Sequence, residues 1–284
     1  MSKSIKIRIA TINVNEQNCN NLFSNMGRSE LPDIICLQEC TTDTSSRKFE
    51  RLNQRYKNGL DRFIEANVFG DLKNRLGSIY TGIFAPAVKV TKKDIKNNEY
   101  SYHYGLATFF KNSMQRMLHV DRANENRIIL ESNGDSYTRN ALIIPLEITP
   151  DNFLTIINYH GYWHPKGKHD CDERRKQAVK LQQIKNALSY KKENYILCGD
   201  FNILRNSPSF EILKNGDRDI ALEFNIHNTR SREYLEYAKA EREACDFIFI
   251  PQTDSIIVNR CWTSDRDNAF SDHLAVQAQL EIKV

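Results

Sequence analysis

The sequence contains no long apolar segment. No hydrophobic run approaches the roughly 18 residues of a membrane-spanning helix. The first residues, MSKSIKIRIATINV, alternate apolar with polar side chains where a signal peptide would have a continuous apolar block. We therefore expect a cytoplasmic protein without stable membrane association.

Cysteine, proline and glycine are few and scattered, at 7, 7 and 11 of 284 residues. The cysteines form no C-x-x-C pair, and their odd number argues against a disulfide framework. Cys36 and Cys40 lack a second Cys or His pair at zinc-finger spacing, so buried free thiols are the favoured interpretation. No repeat or Pro/Gly/Ser-rich linker divides the chain, so we predict a single domain over residues 1–284 and expect a monomer.

The net charge is small as well. The 40 Lys and Arg residues exceed the 36 Asp and Glu residues by four, which gives +4. That value permits an anionic substrate but lacks the dense positive field of a protein that stays bound to nucleic acid. With 40% hydrophobic and 27% charged residues, the composition is that of a soluble globular protein with a core.

Apolar runs with the period of a β-strand recur from end to end, and some alternate while others are nearly continuous, so some strands should be covered on both faces. The predicted strands are Ile5 to Val14, Asp33 to Glu39, Gly105 to Lys111, Asn140 to Ile148, Phe153 to His160, Tyr195 to Phe201, Asp246 to Ile250, Ile256 to Trp262 and Leu274 to Ile282. Helical spacing of apolar residues predicts helices between Phe49 and Ile64 and between Ala178 and Leu188. Together these elements predict an α/β fold, a four-layer α/β/β/α sandwich.

Polar or acidic clusters directly follow or precede several of the predicted strands. Side chains at the tips of neighbouring strands can converge on one concave rim held by a rigid scaffold. The clusters are Thr11 to Asn13, Gln38 and Glu39, Asn158 to His160, Gly199 to Asn202, and Ser271 to His273.

These residue types suit a hard divalent cation and a phosphate ester. Mg²⁺ prefers oxygen ligands and keeps several waters, so Glu39 and Asp272 together with substrate oxygens would be sufficient. Phosphodiester hydrolysis also needs a nucleophile, a proton acceptor and donors to the non-bridging oxygens, which Asp200, Asn202 and the histidines supply. Each residue alone is more often a turn former, a cap or a structural histidine, so the prediction depends on their joint occurrence in order.

Seven motifs resemble, in order, the successive motifs of the endonuclease/exonuclease/phosphatase superfamily, also called DNase I-like. They are TINV, LQE, GLATFF, NYHG, GDFN, DFIF and SDHLAV, and they extend from residue 11 to residue 276. GDFN with a downstream SDHL is the specific combination among them. The resemblance implies the four-layer sandwich and a Mg²⁺- or Mn²⁺-dependent phosphoesterase with its site at the edge of both sheets.

The resemblance also implies a set of metal ligands. Glu39 matches the principal ligand of the family, Asn13 matches the amide beside it that helps to hold metal or phosphate, and Asp272 matches a second carboxylate on the metal side.

The same resemblance implies the catalytic groups. Asp200 matches the residue that orients or deprotonates the attacking water, and Asn202 matches its partner near the phosphate. His160 and His273 match histidines that contact the phosphate. Asp246 matches the carboxylate that hydrogen-bonds His273, which would fix the tautomer of the ring and raise its basicity. The sequence leaves open whether Asp200 or His273 is the general base.

The substrate depends on the surrounding loops. The Asn-Gly-Ile/Leu-Arg signature of AP endonucleases is absent after Val14, and the remaining motifs look more like deadenylases, tyrosyl-DNA phosphodiesterases and some bacterial members. In the loop that follows NYHG, Tyr162 and Trp163 could stack on a base while Lys166 and Lys168 meet phosphates. An ordinary surface loop with one anchoring aromatic is an equal alternative.

Three further features have two interpretations each. Arg139 could bring a guanidinium to the substrate or pack at the sheet edge. Arg230 and Arg232 could add cations to the rim of the site, and Arg232 is equally placed for a helix surface. The lysine- and tyrosine-rich segment 89–104 is an insertion near the cleft or, as favoured, a solvated connection.

The leading interpretation is a phosphodiesterase with Mg²⁺ or Mn²⁺ as its cofactor and a phosphoester, in the first instance DNA or RNA, as its partner. A phosphomonoesterase or a lipid head-group hydrolase on the same residues is the alternative. A non-catalytic binding protein on this fold is a third class, which the intact set of polar residues disfavours.

Overall fold

The computed structural model describes residues 4–17, 19, 22–23, 26, 30–43, 52–55, 61–93, 99–117, 127–130, 139–150, 152–164, 167–232, 244–266, 269 and 271–284. The strands in these ranges are β1 Ser4–Asn13, β2 Ile34–Asp43, β3 Leu52–Arg55, β4 Asp61–Ile64, β5 Tyr80–Lys93, β6 Glu99–Lys111, β7 Arg127–Leu130, β8 Arg139–Thr149, β9 Asn152–His160, β10 Asn194–Asp200, β11 Asp217–Asp219, β12 Asp246–Pro251, β13 Ile256–Thr263 and β14 Val276–Lys283. The helices are α1 Val68–Leu76, α2 Asp172–Tyr190, α3 Pro208–Lys214 and α4 Ile220–Glu223, with 3₁₀ turns at Gly77–Ile79 and Asn112–Met117.

The strands form two six-stranded mixed sheets and one small hairpin. The first sheet has the order β13-β14-β1-β2-β6-β5, and the second has the order β11-β12-β10-β9-β8-β7. Each sheet has one parallel pair at its centre, β1 with β2 and β9 with β10, while the other pairs are antiparallel. The carboxyl ends of two parallel strands lie at the same edge of a sheet. Each sheet therefore brings the carboxyl ends of two neighbouring strands to one edge.

Three apolar clusters define the layers. The largest joins the facing sides of the two sheets and includes Ile9, Ile144 and Ile156. A second covers the outer face of the first sheet with α1, and a third covers the outer face of the second sheet with α2 and α3. These clusters confirm the predicted four-layer α/β/β/α sandwich. None of the described helices is both long and apolar enough to cross a membrane.

The helix predicted between Phe49 and Ile64 is wrong. The described residues 52–55 and 61–64 pair as the antiparallel hairpin β3-β4, in which Leu52 lies opposite Ile64. Ile64 is buried against Tyr102 and Tyr104. Apolar residues at short intervals do not distinguish a helix from two short strands, and here the tertiary contact with β6 decides.

The interpretation of segment 89–104 as a loop is also wrong over its described residues. The pairing of β5 with β6 continues through it, from Val88 opposite Tyr104 to Lys93 opposite Glu99. Val88, Val90, Tyr100, Tyr102 and Tyr104 pack in the cluster that contains Ile64. The alternation of lysine with valine therefore marks a strand with one solvated face.

The backbone leaves no room for a larger residue at Gly161 of NYHG and at Gly199 of GDFN. Gly199 has φ +148°, and a Cβ there would lie 1.8 Å from the carbonyl oxygen of Tyr159. A Cβ on Gly161 would lie 2.1 Å from the carbonyl oxygen of Phe201. The backbone segments at the ends of β9 and β10 therefore lie in direct contact, and this contact fixes the spacing of the side chains on the two segments.

Candidate active site

The predicted polar residues meet at one edge of the sandwich. Asn13 ends β1, Glu39 lies in β2, and His160 and Asp200 are the last residues of the paired strands β9 and β10, in direct register. Asp246 begins β12 opposite Asp200. The site is thus assembled from both sheets, with each contributing its central parallel pair.

Asn13 joins the two sheets at this edge. Its Nδ2 donates to Glu39 Oε1 and to Asp200 Oδ2, both at 3.0 Å, although Asp200 is 187 residues away in sequence. Below them, Gln38 donates to the Asn158 side chain at 2.7 Å, and Asn158 donates to the carbonyl oxygen of Leu37. These buried contacts fix how the rims of the two sheets meet.

Glu39 owes its direction to a local irregularity in β2. The register against β6 shifts between Leu37 and Cys40, and Glu39 has φ +53°. Such a bulge re-aims one side chain relative to the regular alternation of the strand. The Glu39 side chain consequently points to the rim and remains 22% exposed.

The chemistry of this donor set fits a hard divalent cation. The carboxylates of Glu39 and Asp200 offer oxygen ligands on either side of the Asn13 Nδ2 that they share, while the Asn13 Oδ1 accepts from the backbone N–H of Asn15. The exposed part of Glu39 gives access from solvent. A second group in the described residues, formed by Asp200, Cys245, Asp246 and His273, has ligand atoms within 4.8 Å of one another. It fits less well, because the Asp246 carboxylate already accepts hydrogen bonds from protein donors and Cys245 offers sulfur.

His160 is buried and its Nε2 has no hydrogen-bond partner among the described residues. This nitrogen lies 3.7 Å from Glu39 Oε1 and 4.0 Å from Asp200 Oδ2. Burial and the positive charge of Arg139 hold the pKa of His160 well below its usual 6.5, against the opposing effect of Asp200. The ring is therefore neutral at pH 7.

His273 has the opposite environment. Its Nδ1 lies 2.9 Å from both oxygens of Asp246, which also accepts from the hydroxyl of Thr229. Burial and Arg230 lower the pKa of His273, but the carboxylates of Asp246, Asp200 and Asp272 outweigh them and hold it well above 6.5. The predicted histidine–aspartate contact is present in the structure.

Arg230 is a cation that the sequence only suggested for the rim. It is buried, and its Nη1 donates to Asp272 Oδ2 at 2.9 Å and contacts His273 Nε2. A guanidinium can only donate, so this contact favours an unprotonated His273 Nε2. The three carboxylates near His273 have the opposite effect and favour a protonated Nε2. The other Asp272 oxygen, Oδ1, accepts from Asn15 Nδ2 at 2.8 Å.

Asp200 lies between the two histidines. Its Oδ2 is 3.5 Å from His273 Nε2, and its Oδ1 accepts from the backbone N–H of Asn202 at 2.9 Å. Burial raises the pKa of Asp200, but the positive charges of His273, Lys168 and Arg230 outweigh burial and hold it well below 3.8. The carboxylate is therefore ionised.

Asn202 completes the turn that follows β10. It has φ +52°, an uncommon conformation that asparagine tolerates better than most residues. Its Nδ2 donates to the carbonyl oxygen of Gly161 at 3.2 Å, and the Arg139 Nε donates to the same oxygen at 3.1 Å. Asn202 and Arg139 thus both hold the start of the loop after β9.

The predicted substrate-binding residues have different environments. The Trp163 side chain is 55% exposed beside the site, whereas Tyr162 is 6% exposed. Stacking of Tyr162 on a base stays a prediction, and the burial of Tyr162 means that its ring would have to move to meet a base. Arg139 is buried with its guanidinium 5.9 Å from the Tyr104 ring centre. Lys166 lies outside the described residues.

Sequence reasoning did not assign Asn15 or Thr229 and left Arg230 open. Asn15 comes immediately after the TINV motif, and Thr229 and Arg230 come from a segment without a regular apolar pattern. Asn15 contacts Asp272 from 257 residues away. Only long-range pairing, such as the bridge between Arg230 and His273, brings these residues to the site.

The comparisons with known proteins agree with this geometry. A sequence model of the Endonuclease/Exonuclease/phosphatase family matches residues 10–273. None of the curated proteins matches the chain by sequence. Among solved structures, an endonuclease/exonuclease/phosphatase from Bacteroides vulgatus is similar at 19% identity and a TM-score of 0.62, over 98% of this chain and 100% of that one.

Two other solved structures show the same fold. A truncated Caenorhabditis elegans TDP2 has 13% identity and a TM-score of 0.60, over 97% of each chain. A mannosyl-6-phosphatase from Bacteroides thetaiotaomicron has 17% identity and a TM-score of 0.59, over 96% of this chain and 99% of that one. At these identities the likeness to each structure concerns the fold. The family model, which spans most of the chain, carries the assignment: the protein belongs to the endonuclease/exonuclease/phosphatase family of phosphoric ester hydrolases.

Proposed function

We propose that this protein is a divalent-metal-dependent phosphodiesterase that hydrolyses nucleic acid. The observation that supports the proposal most strongly is the ionised Asp200 carboxylate. It lies near two histidines whose pKa values are shifted in opposite directions, and it accepts from the same Asn13 amide group as Glu39. This combination offers a proton acceptor, two nitrogen groups for phosphate oxygens and an oxygen-rich metal site at one rim. Because these residues come from both ends of the chain, they also favour a single domain over residues 1–284.

Glu39 would hold the Mg²⁺ or Mn²⁺ ion, and Asn13, which was expected to be a ligand, would hold the Glu39 and Asp200 carboxylates in place through its Nδ2. Such an ion polarises a phosphate oxygen and offsets the negative charge that develops during hydrolysis. Asp272 was expected to share this role. Its two oxygens already accept from Asn15 and Arg230, so we place Asp272 behind Glu39 in importance for metal affinity.

The protonation states assign the other roles. Asp200, the acidic group that stays ionised, orients the attacking water and accepts its proton. The oxygen of that water forms the new bond to phosphorus while the bond from phosphorus to the leaving oxygen breaks, and the leaving oxygen keeps the electron pair and takes up a proton from solvent. The raised pKa of His273 favours a charged ring, which would stabilise the phosphate rather than accept the first proton. The neutral His160 ring donates one hydrogen bond to a non-bridging oxygen. Asp246 holds His273 Nδ1, which directs Nε2 to the rim.

A nucleic-acid substrate is supported by Trp163. Its exposed indole stands three residues after His160, where a base next to the scissile phosphate could stack on it. The other large apolar side chains that are exposed in the described residues lie on α2, α4 and β13 rather than on the loop that follows β9. This distribution gives no support to a lipid head-group substrate.

A phosphomonoesterase is the second candidate. Three cationic side chains, Arg139, Lys168 and Arg230, affect the pKa of His160 or Asp200 from close range. A terminal phosphate has one more negative charge than a diester, and these cations would complement it.

A substrate panel separates the two candidates. Labelled single- and double-stranded DNA and RNA, together with small phosphomonoesters, would be incubated with Mg²⁺, Mn²⁺ or EDTA. We expect oligonucleotide cleavage that EDTA and Asp200→Asn abolish, while Asp172→Asn, at a carboxylate that is 79% exposed, leaves the rate unchanged. Monoester hydrolysis without diester cleavage would replace the first candidate by the second, and turnover that persists in EDTA would contradict both.

A further inference from the structure

The loop that leaves β9 is fixed from below by one arginine. Arg174, in the first turn of α2, is buried, and its guanidinium donates to three backbone carbonyls of this loop. Nε donates to Tyr162 at 3.3 Å, Nη2 donates to Gly167 at 2.9 Å, and Nη1 donates to His169. Three directed bonds from one planar group define the path of a backbone far more closely than a single contact would.

Lys168 lies between the last two of these anchored residues. Its Nζ is buried and has no hydrogen-bond partner among the described residues. A buried ammonium without a partner is unfavourable, and the usual result is an acceptor supplied by the protein or by a ligand. The geometry of the loop therefore presents an unsatisfied cation.

Lys168 follows the active-site residue His160 in the loop after β9 that Arg174 holds. Its positive charge contributes to lowering the pKa of both His160 and Asp200, so the ammonium lies within electrostatic range of the site. His160 Nε2 is likewise a buried nitrogen without a hydrogen-bond partner among the described residues. A tetrahedral oxyanion has enough acceptor oxygens to satisfy both nitrogens at once.

We propose that Lys168 binds a non-bridging oxygen of the substrate phosphate, and that Arg174 is the positioning residue that holds Lys168 in place. The proposal rests on the proposed function for its substrate and adds a residue outside the metal site. It needs only a phosphate oxyanion, whether in a diester, a monoester or free inorganic phosphate. An ammonium that contacts phosphate through a charge-assisted hydrogen bond contributes to binding in the absence of metal.

The first test measures the binding of inorganic phosphate to the protein in EDTA by calorimetry. We expect Lys168→Gln to weaken phosphate binding by about tenfold or more, because one charge-assisted hydrogen bond is lost. Lys168→Arg should retain most of the affinity. The control is Lys111→Gln, since Lys111 lies at the end of β6 in the first sheet and pairs there with Asp33. Equal affinities for Lys168→Gln and Lys111→Gln, or no phosphate binding by the wild type, would overturn the proposal.

The second test distinguishes positioning from general structural support. If Arg174 acts through Lys168, Arg174→Gln should weaken phosphate binding in the wild-type background and have little further effect in a Lys168→Gln background. Additive losses would show that Arg174 acts independently of Lys168. Circular dichroism melts identify a variant that fails to fold, and Arg174→Lys then serves as the milder change.

Turnover assays separate failure of this proposal from failure of the proposed function. With Mn²⁺ and the substrate that the panel identifies, Lys168→Gln should raise KM by about tenfold. Hydrolysis by the wild type with unchanged KM and phosphate affinity in Lys168→Gln would remove Lys168 from the site and leave the proposed function intact. Phosphate binding that depends on Lys168 in a protein without hydrolytic activity would do the reverse.

Discussion

The two histidines of the site stand on opposite sides of one carboxylate and differ in nearly every other respect. His160 Nε2 is 4.0 Å from Asp200 Oδ2, and His273 Nε2 is 3.5 Å from the same atom. Both rings are buried. Yet His160 has a lowered pKa and His273 has a raised one, so burial alone does not determine the protonation state.

The difference in pKa comes from the charged groups that surround each ring. Asp246 lies against His273 Nδ1 with both oxygens at 2.9 Å, whereas the group that most affects His160 after burial is the cation Arg139. At His273 three carboxylates outweigh burial and Arg230, whereas at His160 burial and Arg139 together outweigh Asp200, so the balance of nearby charges determines the preferred charge of each ring. The site can therefore present one neutral donor and one cation to the same phosphate.

The largest effect is expected from Asp200→Asn, which removes the group between the two rings. The rate of phosphoester hydrolysis should fall by about 10³-fold, within the range typical of a lost general base. In the metal-free protein the pKa of both histidines should fall, because Asp200 raises both. A steady-state assay and a histidine NMR titration measure these effects, and an unchanged rate would remove Asp200 from the proposed mechanism.

The next largest effect separates the two histidines. Asp246→Asn should lower the pKa of His273, since Asp246 is the strongest of the groups that raise it. The pKa of His160 should not fall with it, because loss of the His273 charge removes one of the effects that lower the pKa of His160. We expect hydrolysis to slow by about 10²-fold. Equal shifts in both rings would show that the histidines titrate as one coupled unit.

Metal affinity should depend on the His160 side of the site more than on the His273 side. Glu39→Gln should weaken Mn²⁺ binding by about 10- to 100-fold. Asp272→Asn should have a smaller effect, because Asn15 and Arg230 already engage both oxygens of Asp272. Calorimetry with Mn²⁺ compares the two, and a greater loss from Asp272→Asn would assign Asp272 as the principal ligand.

The two arginines next to the histidines provide a matched pair of smaller changes. Arg139→Gln should raise the pKa of His160 and not that of His273, and Arg230→Gln should have its main effect on His273. Each removes a positive charge that opposes protonation of its own ring. A histidine NMR titration of both variants tests this, and a shift in the wrong ring would contradict the assigned neighbours.

The smallest net effect is expected in the pH dependence of stability without metal. The pKa of His160 is lower in the folded protein than the unfolded value of 6.5. Its contribution to the free energy of unfolding is therefore fully present above pH 6.5 and is lost as the pH falls. The raised pKa of His273 gives a contribution that is present below 6.5 and is lost as pH rises through the folded pKa. Urea unfolding at several pH values should show opposing slopes that His160→Gln and His273→Gln remove separately.

Much of this account could be predicted from the sequence. The two sheets follow from the period of the apolar runs, and the order of the motifs is sufficient to predict that Glu39, Asp200 and His273 belong to one site. Prediction failed between Phe49 and Ile64, where the spacing of apolar residues fitted a helix but the described residues form a hairpin. Periodicity describes one segment at a time and contains no information on which strand will accept it.

The rest of the site depends on contacts that no local pattern records. Arg230 reaches His273 through a bridge that spans 43 residues, and Asn15 reaches Asp272 across most of the chain. The opposite pKa directions of the two histidines likewise depend on which charged group lies behind each ring. Both motifs, NYHG and SDHL, contain a histidine, and neither shows its protonation state.

The most direct measurement is a two-dimensional ¹H–¹⁵N NMR titration of the histidine rings in the metal-free protein, with His160→Gln and His273→Gln used to assign the two signals. We predict that His160 stays neutral as the pH falls well below 6.5, while His273 stays protonated above 6.5. Titration of both rings near 6.5, or in the reverse order, would contradict the division of roles across Asp200.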